Sequence, residues 1–243
     1  DGDRRVTWQV EPGPLETESA AVELGPDSTV LVTGGARGIT AKIALELATR
    51  YRPRLVLVGA SAAPVDEPAD TAGLTTPAEV KAALLKRLGA GTKPAAVEAE
   101  YKRLVKEREI RANLDAVRAA GSVVEYRAVD VRDAAAFGAL IDELNATAGG
   151  VAGVIHGAGV IEDKLLKDKT PESFDRVFGT KVESAFTLAS RLDPARTKFF
   201  ALYASITSRY GNRGQSDYAA ANEVLSKLAC QLDQGWPGRV VSV

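Results

Sequence analysis

Short apolar runs alternate with stretches of helical spacing along almost the whole chain, and no other feature narrows its fold as far. Residues 29–33, 54–59, 123–129, 151–156, 199–203 and 239–243 have the apolar, β-branched character of buried strands. Between them, residues 41–50, 134–146, 171–192 and 218–232 carry apolar positions at helical spacing. Strands that alternate with helices are joined by right-handed crossovers, and the parallel sheet they form is covered by helices on both faces. The expected fold is therefore α/β, a doubly wound parallel sheet of the Rossmann-like kind, which binds ligands at the carboxyl ends of its strands.

The segment 61–121 is too long for a simple crossover. Thr76-Pro77-Ala78-Glu79 reads as a capping box with proline at the first helical position, and Pro94 opens a second helix. Val97, Tyr101, Leu104, Val105, Leu114 and Val117 fall mostly on one face of it. We expect a helical insertion after the second strand, packed on the domain edge, with a docking surface for a partner domain as the alternative. Residues 1–27, with Pro12 and Pro14 and a lone strand over 5–10, read as an interdomain connector, and residues 28–243 as the domain. The chain lacks methionine altogether and stops inside its sixth strand. That suggests a methionine-poor piece of a multidomain protein, or a sequence from which modified methionines were left out.

Charge and composition remove several classes of function. Lysine and arginine total 31 against 32 acidic residues, a balance that offers no electrostatic face to nucleic acid or a membrane. Cys230 and His156 are the only residues of their kinds, so neither an internal disulfide nor a cysteine–histidine zinc cluster is expected. No apolar run approaches the roughly 20 residues of a membrane span, and the first residues do not form a signal peptide. A cytoplasmic setting is expected.

Chemistry first shows in Thr33-Gly34-Gly35-Ala36-Arg37-Gly38-Ile39-Thr40, which leaves the first strand and opens a helix. Glycines there let the backbone approach a pyrophosphate, and the helix start supplies amide hydrogens and partial positive charge. The second strand ends in Gly59-Ala60-Ser61, without the carboxylate that would bind a free ribose 2′-hydroxyl. Arg37 could pair with a 2′-phosphate and Ser61 donate to it, which favours NADPH over NADH. Farther along, Ser205 ends the fifth strand and Tyr218 opens a helix 13 positions later, across the glycine-rich 211–215. A serine and a tyrosine so placed can converge on one carbonyl oxygen.

At these residues the chain resembles the ketoreductase domains of type I polyketide synthases and polyunsaturated fatty acid synthases, of the short-chain dehydrogenase/reductase superfamily. The likeness covers about residues 28–243. Besides the glycine-rich loop it is carried by Val129-Asp130-Val131, His156-Gly157-Ala158-Gly159-Val160, Lys181-Val182-Glu183 and Gly214-Gln215-Ser216-Asp217-Tyr218-Ala219-Ala220-Ala221-Asn222. Most of the superfamily has lysine four positions after the tyrosine. Here Asn222 stands there and Lys181 stands on an earlier helix, the exchange that these ketoreductase domains share. The resemblance implies a catalytic tetrad of Lys181, Ser205, Tyr218 and Asn222. It also implies cofactor contacts from Thr33, Gly34, Gly35, Arg37, Gly38, Ile39, Ser61, Asp130, Val131, Gly157, Ala158 and Gly159 as well as Lys181 and Tyr218. Asp130 would bond the adenine amino group. His156 is expected to be a packed, hydrogen-bonded residue.

The implied reaction is NADPH-dependent reduction of a β-ketoacyl group on acyl carrier protein, beside neighbouring synthase domains. Asp163, in Ile161-Glu162-Asp163, matches the last acid of the B-type signature, and Tyr210 replaces the A-type tryptophan; both lean toward a D-configured hydroxyl. Three features depart from the pattern: Thr40 for the third glycine, Ala60 for an arginine near the 2′-phosphate, and no tryptophan-glycine turn, substrate-side helix or last strand after Val243. The alternatives are a discrete reductase of a small ketone or alcohol, and an inactive cofactor-binding scaffold.

Overall fold

A computed structural model describes residues 22–89 and 91–243. The expected lone strand at 5–10 lies outside the described residues. Six strands, β1 (Thr29–Thr33), β2 (Arg54–Gly59), β3 (Val124–Ala128), β4 (Gly153–His156), β5 (Phe199–Leu202) and β6 (Arg239–Ser242), form one sheet in the order β3-β2-β1-β4-β5-β6. Every pairing is parallel. This is the doubly wound sheet expected from the alternation. The chain winds outward from β1 to β3, returns to β4 on the other side of β1, and winds outward again. The change of direction falls between β1 and β4, where Thr33 pairs with His156.

Alternation along the strands divides the core into two layers. Leu31, Val56 and Val58 face helices α4 (Ala134–Asn145), α5 (Pro171–Arg191) and α7 (Ser216–Asp233), packing with Phe137, Leu188 and Leu225. Val30, Val32, Leu55 and Leu57 face α1 (Gly38–Tyr51) and α3 (Pro94–Ala119), packing with Ala44, Ala48, Ile110, Leu114 and Val117. All four inner positions of β2, Leu55 to Val58, are fully buried, as in a strand covered on both faces.

The crossover from β2 to β3 holds α2 (Pro77–Leu88) and the 26-residue α3. Thr76 and Glu79 bond each other's backbone amides, completing the capping box. The first half of α3 packs Val97 and Leu104 against Val80 and Leu84 of α2, in a small core of its own. The second half carries Ile110, Leu114 and Val117 into the main core and serves as the crossover helix. Val105, grouped with the apolar face in the sequence, is 39% exposed. A one-turn helix, α6 (Thr207–Tyr210), separates β5 from the glycine-rich approach to α7. No helix among the described residues is long and apolar enough to cross a membrane.

Candidate active site

A cleft of about 580 Å³ opens at the carboxyl ends of β1, β2 and β4. Of the residues expected to hold a dinucleotide, Gly34, Arg37, Gly38 and Ser61 line one part of it, and Asp130, Val131 and Gly157–Gly159 the other. Thr33, Gly35, Ile39, Lys181 and Tyr218 do not line it. Thr33 is fully buried beneath, its hydroxyl 2.8 Å from His156 Nδ1 and accepting the Ala158 amide at 3.1 Å. Gly35 packs on Val32, and Ile39 is largely solvent-exposed. Gly34 has φ +68°, and a Cβ built on it would lie 3.0 Å from the Gly157 carbonyl oxygen. The two glycine turns thus pack backbone to backbone at the switch point, as a close approach to a pyrophosphate requires.

The charged groups around the cleft are already paired with one another. Arg37 Nε donates to Glu109 Oε2 at 2.7 Å, and the Gly38 amide donates to Glu109 Oε1 at 3.0 Å. Partial burial alone would raise the Glu109 pKa, but the Gly38 amide and the Arg37 guanidinium outweigh it and hold the carboxyl below its usual range. Glu109 lies 72 positions from Arg37 on a helix with no local motif, so no sequence signal marks it. Asp130 is engaged by the Arg132 guanidinium and backbone amide, which hold its pKa low. The Ser61 carbonyl accepts the Tyr126 hydroxyl at 2.8 Å.

Of the expected tetrad, Lys181 packs beside Gly159 and Tyr218 beside Lys181, with Asn222 bonded to Tyr218, while the Ser205 hydroxyl bonds Thr207. Lys181 comes from α5, Tyr218 and Asn222 from α7, and Ser205 from the turn after β5. Lys181 is 4% exposed. Its Nζ donates to the Tyr203 carbonyl at 2.6 Å and lies 5.4 Å from the centroid of the Tyr218 ring. Burial lowers its pKa to about 8. Ser205 Oγ accepts from the Thr207 amide at 3.2 Å and its hydroxyl at 3.1 Å, so α6 fixes its orientation. Asn222 is fully buried; its amide donates to the Tyr218 carbonyl at 2.8 Å, and its Oδ1 has no donor among the described residues. The structure therefore places lysine, tyrosine and asparagine side by side, with asparagine bonded to the tyrosine's backbone and not to the lysine.

Two further features frame this group. His156 is fully buried between Thr33, the Lys181 carbonyl at 3.0 Å and Ser184, and burial lowers its pKa to about 4. It is a neutral packing residue. The loop after β4 is tied to the start of α7: Lys164 N donates to the Gly214 carbonyl, Gln215 donates to Asp163, and Lys169 pairs with Asp217 at 2.5 Å. Asp217 also accepts the Tyr218 amide at 2.9 Å.

An all-parallel sheet with glycine turns at its switch point and a lysine facing a tyrosine beside them defines a Rossmann-like domain of short-chain dehydrogenase/reductase type. The sequence model of the KR domain family matches residues 28–243, and the chain belongs to that family of ketoreductase domains. Over 228 residues it is 34% identical to a polyunsaturated fatty acid synthase chain of Thraustochytrium sp., covering 90% of this chain and 8% of that protein. Over 204 residues it is 30% identical to a reducing polyketide synthase of Cochliobolus heterostrophus, covering 84% of this chain and 6% of that one. Among solved structures, an N-terminal ketoreductase from the macrolactin assembly line matches with TM-score 0.69 and 25% identity over 92% of this chain and 38% of that chain. A ketoreductase domain from the bacillaene assembly line matches with TM-score 0.68 and 25% identity over 93% of this chain and 45% of that one. The chain thus spans less than a tenth of the two synthases, which are multidomain proteins. Domains of this family take a nicotinamide cofactor.

Proposed function

We propose that this domain uses NADPH to reduce a β-ketoacyl group, presented as a phosphopantetheine thioester on acyl carrier protein, to a β-hydroxyacyl group, in concert with neighbouring synthase domains. The observation that carries this reading is the buried Lys181 ammonium facing the Tyr218 ring beside Gly159. The residues present suit the dinucleotide. Gly34 and Gly157–Gly159 permit a close backbone approach, and Asp130, Val131, Arg37 and Ser61 line the same cleft; Asp130 and Val131 would take the adenine, and Arg37 and Ser61 the 2′-phosphate. A Cβ on Gly159 would lie 3.1 Å from Lys181 Cε, so only glycine leaves that wall open beside the lysine.

When bound, the nicotinamide supplies hydride to the carbonyl carbon. The residues of this chain deal with the oxygen. The Ser205 and Tyr218 hydroxyls donate hydrogen bonds to it as negative charge develops, and a fixed donor there costs no reorganisation. Tyr218 gives its proton to that oxygen and is left as the phenolate, which the Lys181 ammonium stabilises. Ketone, hydride and proton together make the alcohol, and the tyrosine regains its proton from solvent. Asn222 holds the Tyr218 turn of α7 in place. Asp163, held by Gln215, supports the D configuration of the product hydroxyl.

The experiment is NADPH oxidation with a β-ketoacyl thioester surrogate, comparing the intact protein with Tyr218→Phe. Turnover should fall by about 10²-fold or more while NADPH binding persists. Near-normal turnover of the variant would remove Tyr218 from this role.

A further inference from the structure

We propose that Glu109 is a positioning residue for Arg37 that holds down the domain's preference for a 2′-phosphorylated dinucleotide; this rests on the cofactor reading above. The end of β2 carries no carboxylate, yet one stands in the same cleft, delivered by α3 across 72 positions of sequence. Glu109 binds Arg37 through Nε and Gly38 through its amide, so one carboxylate grips two successive residues of the phosphate loop.

The grip is not that of a loose surface side chain. One turn farther along α3, Asn113 Nδ2 donates to the Ala36 carbonyl at 2.9 Å, so α3 holds three consecutive loop residues from two positions on one face. The preceding residue, Arg108, donates to the Glu67 carboxylate and to the Thr71 and Leu74 carbonyls. These bonds fasten α3 to the segment that follows Ser61. The Glu109 carboxylate thus has a fixed place beside the phosphate loop.

Its effect on ligand charge has one sign. A 2′-phosphate seeking Arg37 meets a guanidinium already neutralised by Glu109, and its own negative charge is opposed by the same carboxylate. A ribose 2′-hydroxyl suffers neither penalty. Both partners of the pair are part-exposed, with side chains 44% and 36% accessible, so solvent screens the effect and it is modest.

The test is equilibrium titration of adenosine 2′,5′-bisphosphate and 5′-AMP, which differ only in the 2′-phosphate, against wild type, Glu109→Gln, Arg37→Ala and the double variant. The ratio of the two affinities should move about fivefold toward the bisphosphate in Glu109→Gln, and less at high salt. In the Arg37→Ala background the same substitution should give a clearly smaller shift, because only the direct repulsion of the phosphate remains and the part that acts through the arginine is gone. A ratio that stays put, or moves toward 5′-AMP, in the single Glu109→Gln variant overturns the proposal. So does an equal shift in both backgrounds. If wild type binds neither nucleotide nor NADPH, the cofactor reading itself fails and takes this proposal with it.

Discussion

Lys169 and Asp217 meet 2.5 Å apart with each side chain only 2% exposed, and so form a buried ion pair next to Tyr218. Lys169 Nζ also donates to the Glu162 carbonyl, while the second Asp217 oxygen takes the Tyr218 amide. The pair therefore joins the loop after β4 to the first turn of α7. Removing one partner leaves the other charge buried and unmatched, which costs about 3–5 kcal/mol. Lys169→Met and Asp217→Asn should each lower the unfolding free energy measured in urea by an amount in that range, and the double variant should lose less than the sum. Strict additivity of the two losses would show that the charges do not depend on each other.

Burial of Lys181 has a kinetic counterpart. With its pKa lowered to about 8, the ammonium is present at neutral pH and is lost as pH rises through about 8. If that charge stabilises the Tyr218 phenolate, kcat for reduction should fall on the alkaline side of a step near pH 8. Lys181→Met should reduce kcat by about 10²-fold and abolish the step, because no titrating ammonium remains. A step that persists unchanged in Lys181→Met belongs to another group.

Particular residues show how far sequence alone reaches. The strand–helix alternation delivered the sheet, since burial on both faces leaves an apolar run that is read locally; only the edges moved, with α1 starting at Gly38 and α7 at Ser216. The glycine turn at 33–40 and the stretch ending in Tyr218 and Asn222 were visible for the same reason: each is a continuous segment. Lys181 came from family resemblance, because nothing near it in the chain marks a lysine as buried. Glu109 and Lys169 were missed. Their partners lie 72 and 48 positions away, and an ion pair between distant segments leaves no periodic trace. The capping box at Thr76 was legible, but not that α3 runs on past its contact with α2 to cover the sheet, which follows from packing at Ile110 and Leu114.

His156 gives a stability prediction with a definite sign. Its folded-state pKa is lowered to about 4 by burial from an ordinary 6.5. Between those values the unfolded chain binds a proton that the folded one refuses, so this contribution is complete above about pH 6.5 and is lost as pH falls toward 4. The full loss is about 3 kcal/mol. Urea unfolding at pH 7.5 and 4.5 should show a smaller drop for His156→Gln than for wild type, by roughly that amount. Equal drops would mean that histidine burial is not what the acid limb reports.

Gly34 and Gly159 separate stability from activity. At Gly34, φ is +68° and a Cβ would stand 3.0 Å from the Gly157 oxygen and 3.1 Å from the Ala158 nitrogen, all rigid backbone. Gly34→Ala should destabilise the fold by about 1–3 kcal/mol and weaken dinucleotide binding as well, because both glycine turns must shift. At Gly159 the obstructing atom is Lys181 Cε at 3.1 Å, part of a flexible side chain that yields by a few tenths of an ångström. Gly159→Ala should leave the melting temperature nearly unchanged. It displaces the ammonium from the Tyr203 carbonyl and from Tyr218, which should cut kcat by about tenfold. Calorimetry and turnover measured on both variants decide the matter: a Gly159→Ala protein with full kcat would show that the position of Lys181 tolerates the shift and that reduction does not depend on its present placement.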